Sequence, residues 1–460
     1  MKFGGTSVQD AAAIERASGI VGGRVDRRPV VVVSALAKVT DSLLHIAQVA
    51  SERRMADAEA LIGELQKRHH DTAHHLLEGK GDVSEYSLEW LNKTITANLD
   101  ELLNLARSVA TLGELTPRSL DAIASFGERL SSAIVAAGFA ANGVRSKLVD
   151  SRLFIVTDNH FTAAAPDMRA TEERTRKALT QILESGIVPV TQGFIGATDQ
   201  GITTTLGRGG SDYSAAIIGA SLGADAIEIW TDVDGLMTAD PRVVPLARRL
   251  RVISFGEASE LSYFGAKVLH PSTVLPAVER GIPVHIYNTN NPSCDGTLIA
   301  ARPNSASNPI KSIAFKRGVT IVNVTSTRML AAHGFLRAIF EVFDRHDTPV
   351  DVVTTSEVSV SITLDDTSHL SEITSELSGI GQATIERDKA IVCVVGDNLK
   401  FTPGVAARVF TAIARTNVNM ISQGASEINL TFVINESDVE HVVRELHDEF
   451  FAELDPEVFA

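Results

Sequence analysis

The sequence predicts an α/β protein: a mostly parallel central sheet flanked by helices, followed by two smaller α+β units of ferredoxin-like type. Three observations predict it. The run VVVVSAL after Pro29 is continuously apolar, as a strand buried on both faces of a parallel sheet must be. A turn containing Gly207, Gly209 and Gly210 opens the apolar run Ala215 to Leu222, and a second buried strand, Ala226 to Trp230, follows, which is the rhythm of a βα unit. Beyond residue 309 the rhythm changes to short strands and helices in the order βαββαβ, and it repeats.

Length and charge bound the rest. A chain of 460 residues suggests two to four domains, and 44% hydrophobic residues can bury a substantial core. The formal charge of −15 argues against nucleic acid or an anionic membrane as the main partner, since either wants a basic patch. Only Cys294 and Cys393 occur, far apart, so neither a disulfide framework nor a zinc site is indicated. The N-terminus lacks a basic-then-apolar leader and no stretch reaches about 18 apolar residues, so a soluble cytoplasmic protein is expected.

Taken in order, Lys2 to Gly5 is a short strand entering a GGTS turn, with Lys2 a candidate phosphate-binding cation. Ala11 to Val21 reads as a helix, and Ser34 to Asp41 lies at the C-terminal end of the valine strand, the ligand side of such a sheet. Residues 42–116 hold no proline and have apolar residues at helical spacing, for example Leu91, Ile95, Leu99 and Leu102, so this is a helical insertion. His70 and His74 have the spacing of a helical metal pair. No acid or cysteine completes a site, and no metal ligand is assigned. Leu120 to Leu130 reads as one helix containing Glu128, an acid in an otherwise apolar setting and open to reading as an exposed acid or an internal ion pair. Val144 to Val149, Ile187 to Thr191 and Val284 to Tyr287 read as strands, Phe255 to Gly265 as a helix, and Cys294 to Asn308 as a linker.

The glycine turn is the chemical centre. Ser211 and Asp212 stand where an N-cap and first-turn acid would stand, and Arg208 brings a planar fork suited to carboxylate or phosphate. Such a helix start favours an acidic ligand. Thr231, Asp232, Asp234 and Gly235 close the next strand. No Walker A sequence, H-R-D or G-x-G-x-x-G occurs, which excludes a P-loop enzyme and a protein kinase and weakens a dehydrogenase reading.

In the C-terminal third, Val319 to Thr325, Phe335 to Arg345, Val350 to Thr354, Val358 to Leu364, Ser368 to Ser378 and Ala383 to Arg387 form one βαββαβ copy. The second runs from Ala390 to Phe451 and lacks a last strand, which Ile310 to Phe315 could supply. Two modules serving only dimer contacts would look the same.

The blocks KFGGTSV at Lys2 to Val8, TTTLGRGGSDYSA at Thr203 to Ala215, WTDVDGLMTADPR at Trp230 to Arg242 and FGAKVLHP at Phe264 to Pro271 resemble the signature blocks of the aspartokinases, in the amino-acid kinase family. The C-terminal repeats resemble tandem ACT domains, and the whole resembles the monofunctional lysine-sensitive type. The resemblance implies an amino-acid kinase fold over residues 1–300, a first ACT domain at 317–388 and a second at 389–460, completed by 309–316. It implies phosphorylation of L-aspartate by ATP with Mg2+, feedback inhibition by L-lysine, and a homodimer through the ACT domains or a tetramer built from it. Lys2, Lys267 and Asp212 would be catalytic. Lys2, Phe3, Gly4, Gly5, Thr231, Asp232, Met237, Arg242, Lys267 and Val268 would hold the nucleotide, and Ser34, Thr40, Glu128 and Arg208 the aspartate. Met329, Gly334, Phe335, Leu336, Asp351, Ser356 and Glu357 would hold the effector, with Asp351 and Glu357 offering charge to its amino groups. Met237 stands where many relatives carry tyrosine, and Asp41 where they carry asparagine. A kinase for another amino acid such as glutamate, and a catalytically silent amino-acid sensor, are the alternatives.

Overall fold

The structure is a computed structural model and describes residues 1–80, 86–265, 271–301, 309–326, 333–453, 455–456 and 458–460. Among these, the chain runs through β1 (Lys2–Phe3), α1 (Ala11–Gly22), β2 (Val31–Val33), α2 (Val39–Ser51), α3 (Met55–Leu77), α4 (Leu88–Leu112), α5 (Pro117–Ala124), α6 (Phe126–Ala141), β3 (Ser146–Val149), β4 (Val156–Thr157), α7 (Met168–Glu184), β5 (Val188–Gln192), β6 (Ile195–Thr198), β7 (Thr203–Thr205), α8 (Gly210–Leu222) and β8 (Ile227–Thr231). It continues through β9 (Val252–Ser254), α9 (Phe255–Tyr263), α10 (Leu275–Glu279), β10 (Val284–Asn288), β11 (Thr297–Ala300), β12 (Ile310–Thr325), α11 (Phe335–Arg345), β13 (Val353–Thr355), β14 (Ser359–Leu364), α12 (Leu370–Leu377), β15 (Gln382–Gly396), α13 (Val405–Ala412), β16 (Met420–Gln423), β17 (Asn429–Asn435) and α14 (Val439–Phe450). Two compact units result, Met1–Leu236 with Val268–Arg302, and Met237–Lys267 with Pro303–Ala460. No described helix is long and apolar enough to cross a membrane.

In the first unit the large sheet runs β3-β5-β2-β1-β8-β10-β11, parallel except for the antiparallel β11. Two-residue β1 sits between β2 and β8, with Phe3 in register with Val33 and Trp230. Three strand ends therefore converge, at Phe3, Val33 and Thr231. Gly4 N–H donates to Trp230 O at 3.0 Å and Ser34 N–H to Phe3 O at 3.1 Å. The insertion is the three helices α2, α3 and α4, whose apolar stripes join the core of the unit.

Several expectations change. The helix read over Leu120 to Leu130 is two helices, α5 and α6, broken at Ser125; Thr116 caps α5 by accepting from Ser119 N–H, and Pro117 occupies its first turn. The linker read over Cys294 to Asn308 contains β11, which pairs with β10 because Thr297 and Ile299 have a buried face to cover. The sequence reading did not include α7 or the small sheet β4-β6-β7. The N-cap of α8 is Gly209, in the left-handed region at φ 71°, and not Ser211; no side-chain cap is present, and Gly210 N–H and Asp212 N–H donate instead to the backbone, to Gly207 O at 3.0 Å and Gly209 O at 2.9 Å.

In the second unit a wholly antiparallel sheet runs β13-β14-β12-β15-β17-β16. β12 joins what the sequence suggests as a spare strand to the first strand of the first repeat, and β15 spans both repeats in the same way. Residues 310–316 of β12 pair with 391–396 of β15, while 319–325 pair with 382–389, and the register shifts between Lys316 and Val319 mark the changeover. Each repeat thus completes its four strands within one shared sheet. Helix α9 is fastened to it by the fully buried pair Lys311 Nζ to Glu257 Oε1, 2.8 Å. Glu257 also closes a capping box with Ser254 at the helix start.

Candidate active site

At the converging strand ends of the first unit a cavity of about 460 Å³ opens, and Lys2, Ser34, Thr40, Glu128, Arg208 and Asp212 all line it. Residues more than two hundred apart in sequence meet there because β1 lies between β2 and β8, with the start of α8 above its end. Lys2 Nζ stands 2.7 Å from Asp212 Oδ1, both side chains about nine-tenths buried. At that distance the two form a close ion pair, largely shielded from solvent.

Glu128 explains why an acid sits in an apolar helix. Gly127 packs so closely that a Cβ there would stand 2.7 Å from the Ala35 side chain. That approach lets Glu128 Oε1 accept from Ala35 N–H at 3.1 Å, while Oε2 is buried with no partner among the described residues. Burial pushes the carboxyl up to about 8, against the pull of the Ala35 amide and the Lys2 charge. Arg208 is exposed at the cavity, with no ion pair or hydrogen bond among the described residues. A free guanidinium and an orphaned carboxylate oxygen on one cavity can hold the two charged groups of an amino acid.

The sequence reading missed Asp121, Thr162, Phe194 and Thr205 on the cavity wall. Asp121 has a legible signal, since it precedes Glu128 by seven residues in the stretch read as one helix, and i, i+7 share a face. Thr162 and Phe194 have none, because their loops are brought in by β6 and β7.

The amino acid kinase family model matches residues 1–288, and an ACT domain model matches residues 392–450. Lysine-sensitive aspartokinase 3 of Escherichia coli (strain K12) is 37% identical over 460 residues, covering 98% of both chains. The chain belongs to the aspartokinases. Among its relatives, Aspartokinase 3, chloroplastic, of Arabidopsis thaliana is 35% identical over 466 residues, covering 98% of this chain and 81% of its own length. The crystal structure of E. coli aspartokinase III in complex with aspartate and ADP (R-state) superposes with a TM-score of 0.83 at 35% identity, covering 98% of this chain and 99% of that one. The same enzyme in complex with lysine and aspartate (T-state) gives 0.82, again at 35% identity, covering 98% of each.

In this aspartokinase the remaining expected residues divide. Gly4 and Gly5 follow β1 directly, Thr231 ends β8 and Asp232 follows it. Phe3 cannot offer its side chain to a nucleotide: it is wholly buried and stacked on Trp230, centroids 6.0 Å apart, so only its backbone is available. Met237 and Arg242 belong to the second unit, where Met237 bridges to Arg249 and the exposed Arg242 forks onto Asp240 at 2.6 Å. Lys267, Val268 and Met329 lie outside the described residues. His70 Nδ1 meets Asn92 Oδ1 at 2.7 Å, and no three His, Cys, Asp or Glu side chains converge on a metal position among the described residues.

Among the expected effector residues, Gly334 caps α11 with φ 85°, Phe335 is buried and Leu336 exposed. Ser356 Oγ and Ser359 Oγ are 2.7 Å apart, and Glu357 is exposed. Asp351 corrects the expectation of an unengaged acid. Its buried carboxylate accepts from Tyr263 Oη at 2.5 Å and pairs with Lys316 Nζ at 3.1 Å. The cause is β12, which delivers Lys316 beside it.

Proposed function

We propose that this aspartokinase transfers the γ-phosphoryl group of ATP to the side-chain carboxylate of L-aspartate, giving ADP and 4-phospho-L-aspartate, and that L-lysine inhibits it through the second unit. The observation that carries the reading is that free Arg208 and the orphaned Oε2 of Glu128 line one cavity, a guanidinium suited to an α-carboxylate and a carboxyl that an arriving α-ammonium would hold ionised. The E. coli relative crystallised with aspartate and ADP, and with lysine and aspartate, supports the same substrates and effector.

In this reading Arg208 and Glu128 hold the amino acid by its two backbone charges, with Ser34 and Thr40 beside it. The side-chain carboxylate attacks the γ-phosphorus, an O–P bond forms, the bond to the β-phosphate oxygen breaks, and ADP leaves. No general base is needed, because that carboxylate is ionised at neutral pH (reference pKa about 3.9). Lys2 neutralises charge on the transferring group, aided by the uncapped start of α8. Asp212 holds Lys2 until phosphate arrives. Gly4, Gly5, Thr231 and Asp232 contact the nucleotide, while Met237, Arg242, Lys267 and Val268 take nucleotide roles by resemblance alone.

Mg2+ would supply charge neutralisation on the phosphates. Without a cluster of three protein ligands among the described residues, the donors suit an ion carried mainly on nucleotide oxygens, as kinase magnesium usually is. Free Cys294 and Cys393 suit a reducing cytosol. Exposed Leu336, Phe340 and Ile421 on the second unit suit a homodimer through that half.

The deciding assay is ADP release with a panel of amino acids, repeated with lysine, threonine and methionine. Turnover with aspartate, reduced by lysine alone, is expected. Turnover on glutamate instead, or none on any amino acid, overturns the reading.

A further inference from the structure

We propose that Asp121 is a positioning residue of the aspartate subsite, fixing the wall from which Arg208 reaches the cavity; the proposal rests on the reading of Arg208 given above. Asp121 lies on α5 and is 1% exposed, yet it lines the same cavity as Glu128. The two acids differ in what they already hold. Glu128 keeps an orphaned oxygen, whereas both oxygens of Asp121 are taken: Oδ1 accepts from Thr205 Oγ1 at 2.7 Å, Oδ2 from Thr205 N–H at 2.9 Å, and the Thr162 N–H is shared between them at 3.1 and 3.0 Å. Asp121 is therefore unavailable to a substrate ammonium and serves the backbone.

The backbone it serves leads to Arg208. Thr205 ends β7, and Gly207, Arg208 and Gly209 follow within four residues. Thr162 sits at φ 73°, a left-handed conformation that a β-branched residue avoids, so something must hold it there. The carboxylate of Asp121 is positioned to do so. Thr162 O in turn stands 3.2 Å from where a Cβ on Gly207 would lie, so the held loop packs directly against the turn carrying Arg208. One buried carboxylate thus joins α5, the 158–165 loop and β7 into a single wall. Buried charge of this kind is retained only where donors satisfy it, and here three donors do.

Asp121→Asn tests it, because one acceptor oxygen becomes an amide group that faces an N–H donor. The expected result is an aspartate KM raised about tenfold or more, the scale of one lost charge-assisted hydrogen bond, with the ATP KM within about twofold of wild type. Adding Thr162→Gly, which adopts positive φ without strain, is expected to return part of the aspartate KM. Thr205→Val, which deletes only the hydroxyl donor, is expected to raise the aspartate KM severalfold and serves if Asp121→Asn does not fold. An unchanged aspartate KM in Asp121→Asn or in Thr205→Val, equal losses for both substrates, or no rescue by Thr162→Gly overturns the proposal. A wild type inactive on aspartate overturns the functional reading and this proposal with it, which keeps the two failures distinct.

Discussion

Lys316 stands between two acids, with Nζ 3.1 Å from Asp351 and 2.6 Å from Asp365. The carboxylate expected to meet an effector's amino group therefore already holds an ammonium of the chain's own. If lysine takes Asp351, Lys316 can fall back on Asp365. Lys316 is partly exposed although the Asp351 carboxylate is buried, and solvent screening of the ammonium holds the pair to about 1 kcal/mol, so Lys316→Gln is expected to lower the lysine concentration for half-inhibition only a few-fold. Asp351→Ala should blunt inhibition instead. Lysine titrations at fixed aspartate check both, and a Lys316→Gln enzyme needing more lysine than wild type would remove the competition.

Lys2 and Asp212 meet where the transferred phosphoryl group is expected. Lys2→Ala should lower kcat on the order of a hundredfold or more, the scale of a lost electrostatic donor in a transition state. Far-UV circular dichroism should stay unchanged. Near-normal turnover in a folded variant takes Lys2 out of the mechanism.

The burial of Glu128 gives a pH signature. Its carboxyl is pushed up to about 8 from an ordinary value of 4.5, so the folded, ligand-free protein keeps this proton across a range where the unfolded chain has lost it. Stability is then greatest below the unfolded value and falls as pH rises toward the folded one, by at most about 1.4 kcal/mol per pH unit for a single group. Against Glu128→Gln, the wild type should lose stability from about pH 4.5 to about pH 8 and level off above. Because the aspartate ammonium pairs with the ionised form, the aspartate KM should also rise as pH falls below about 8. Denaturant midpoints and KM measured over that range check this; parallel profiles for the two proteins refute it.

The fully buried Lys311 and Glu257 pair fastens α9 to β12. Lys311→Met leaves a buried carboxylate without its counter-charge, held only by the Ser254 donors of the capping box, and should cost about 3 kcal/mol. Lys311→Met with Glu257→Gln should recover a good part of that loss. Chemical denaturation of the three proteins decides it, and a harmless single substitution would show that the pair contributes nothing net.

The sequence by itself determined the α/β class, the helical insertion and the βαββαβ repeat, because each rests on local signals of apolar periodicity and glycine turns, while family resemblance named the six side chains that line one cavity. Tertiary structure alone decided what those side chains do to one another. The orphaned oxygen of Glu128 follows from how closely Gly127 approaches Ala35, and the engagement of Asp351 from the course of β12. Asp121 reaches Thr162 and Thr205 across 41 and 84 residues. Local periodicity predicts which face of an element is buried, but partners that far apart are selected by strand order and packing, which no window of sequence contains.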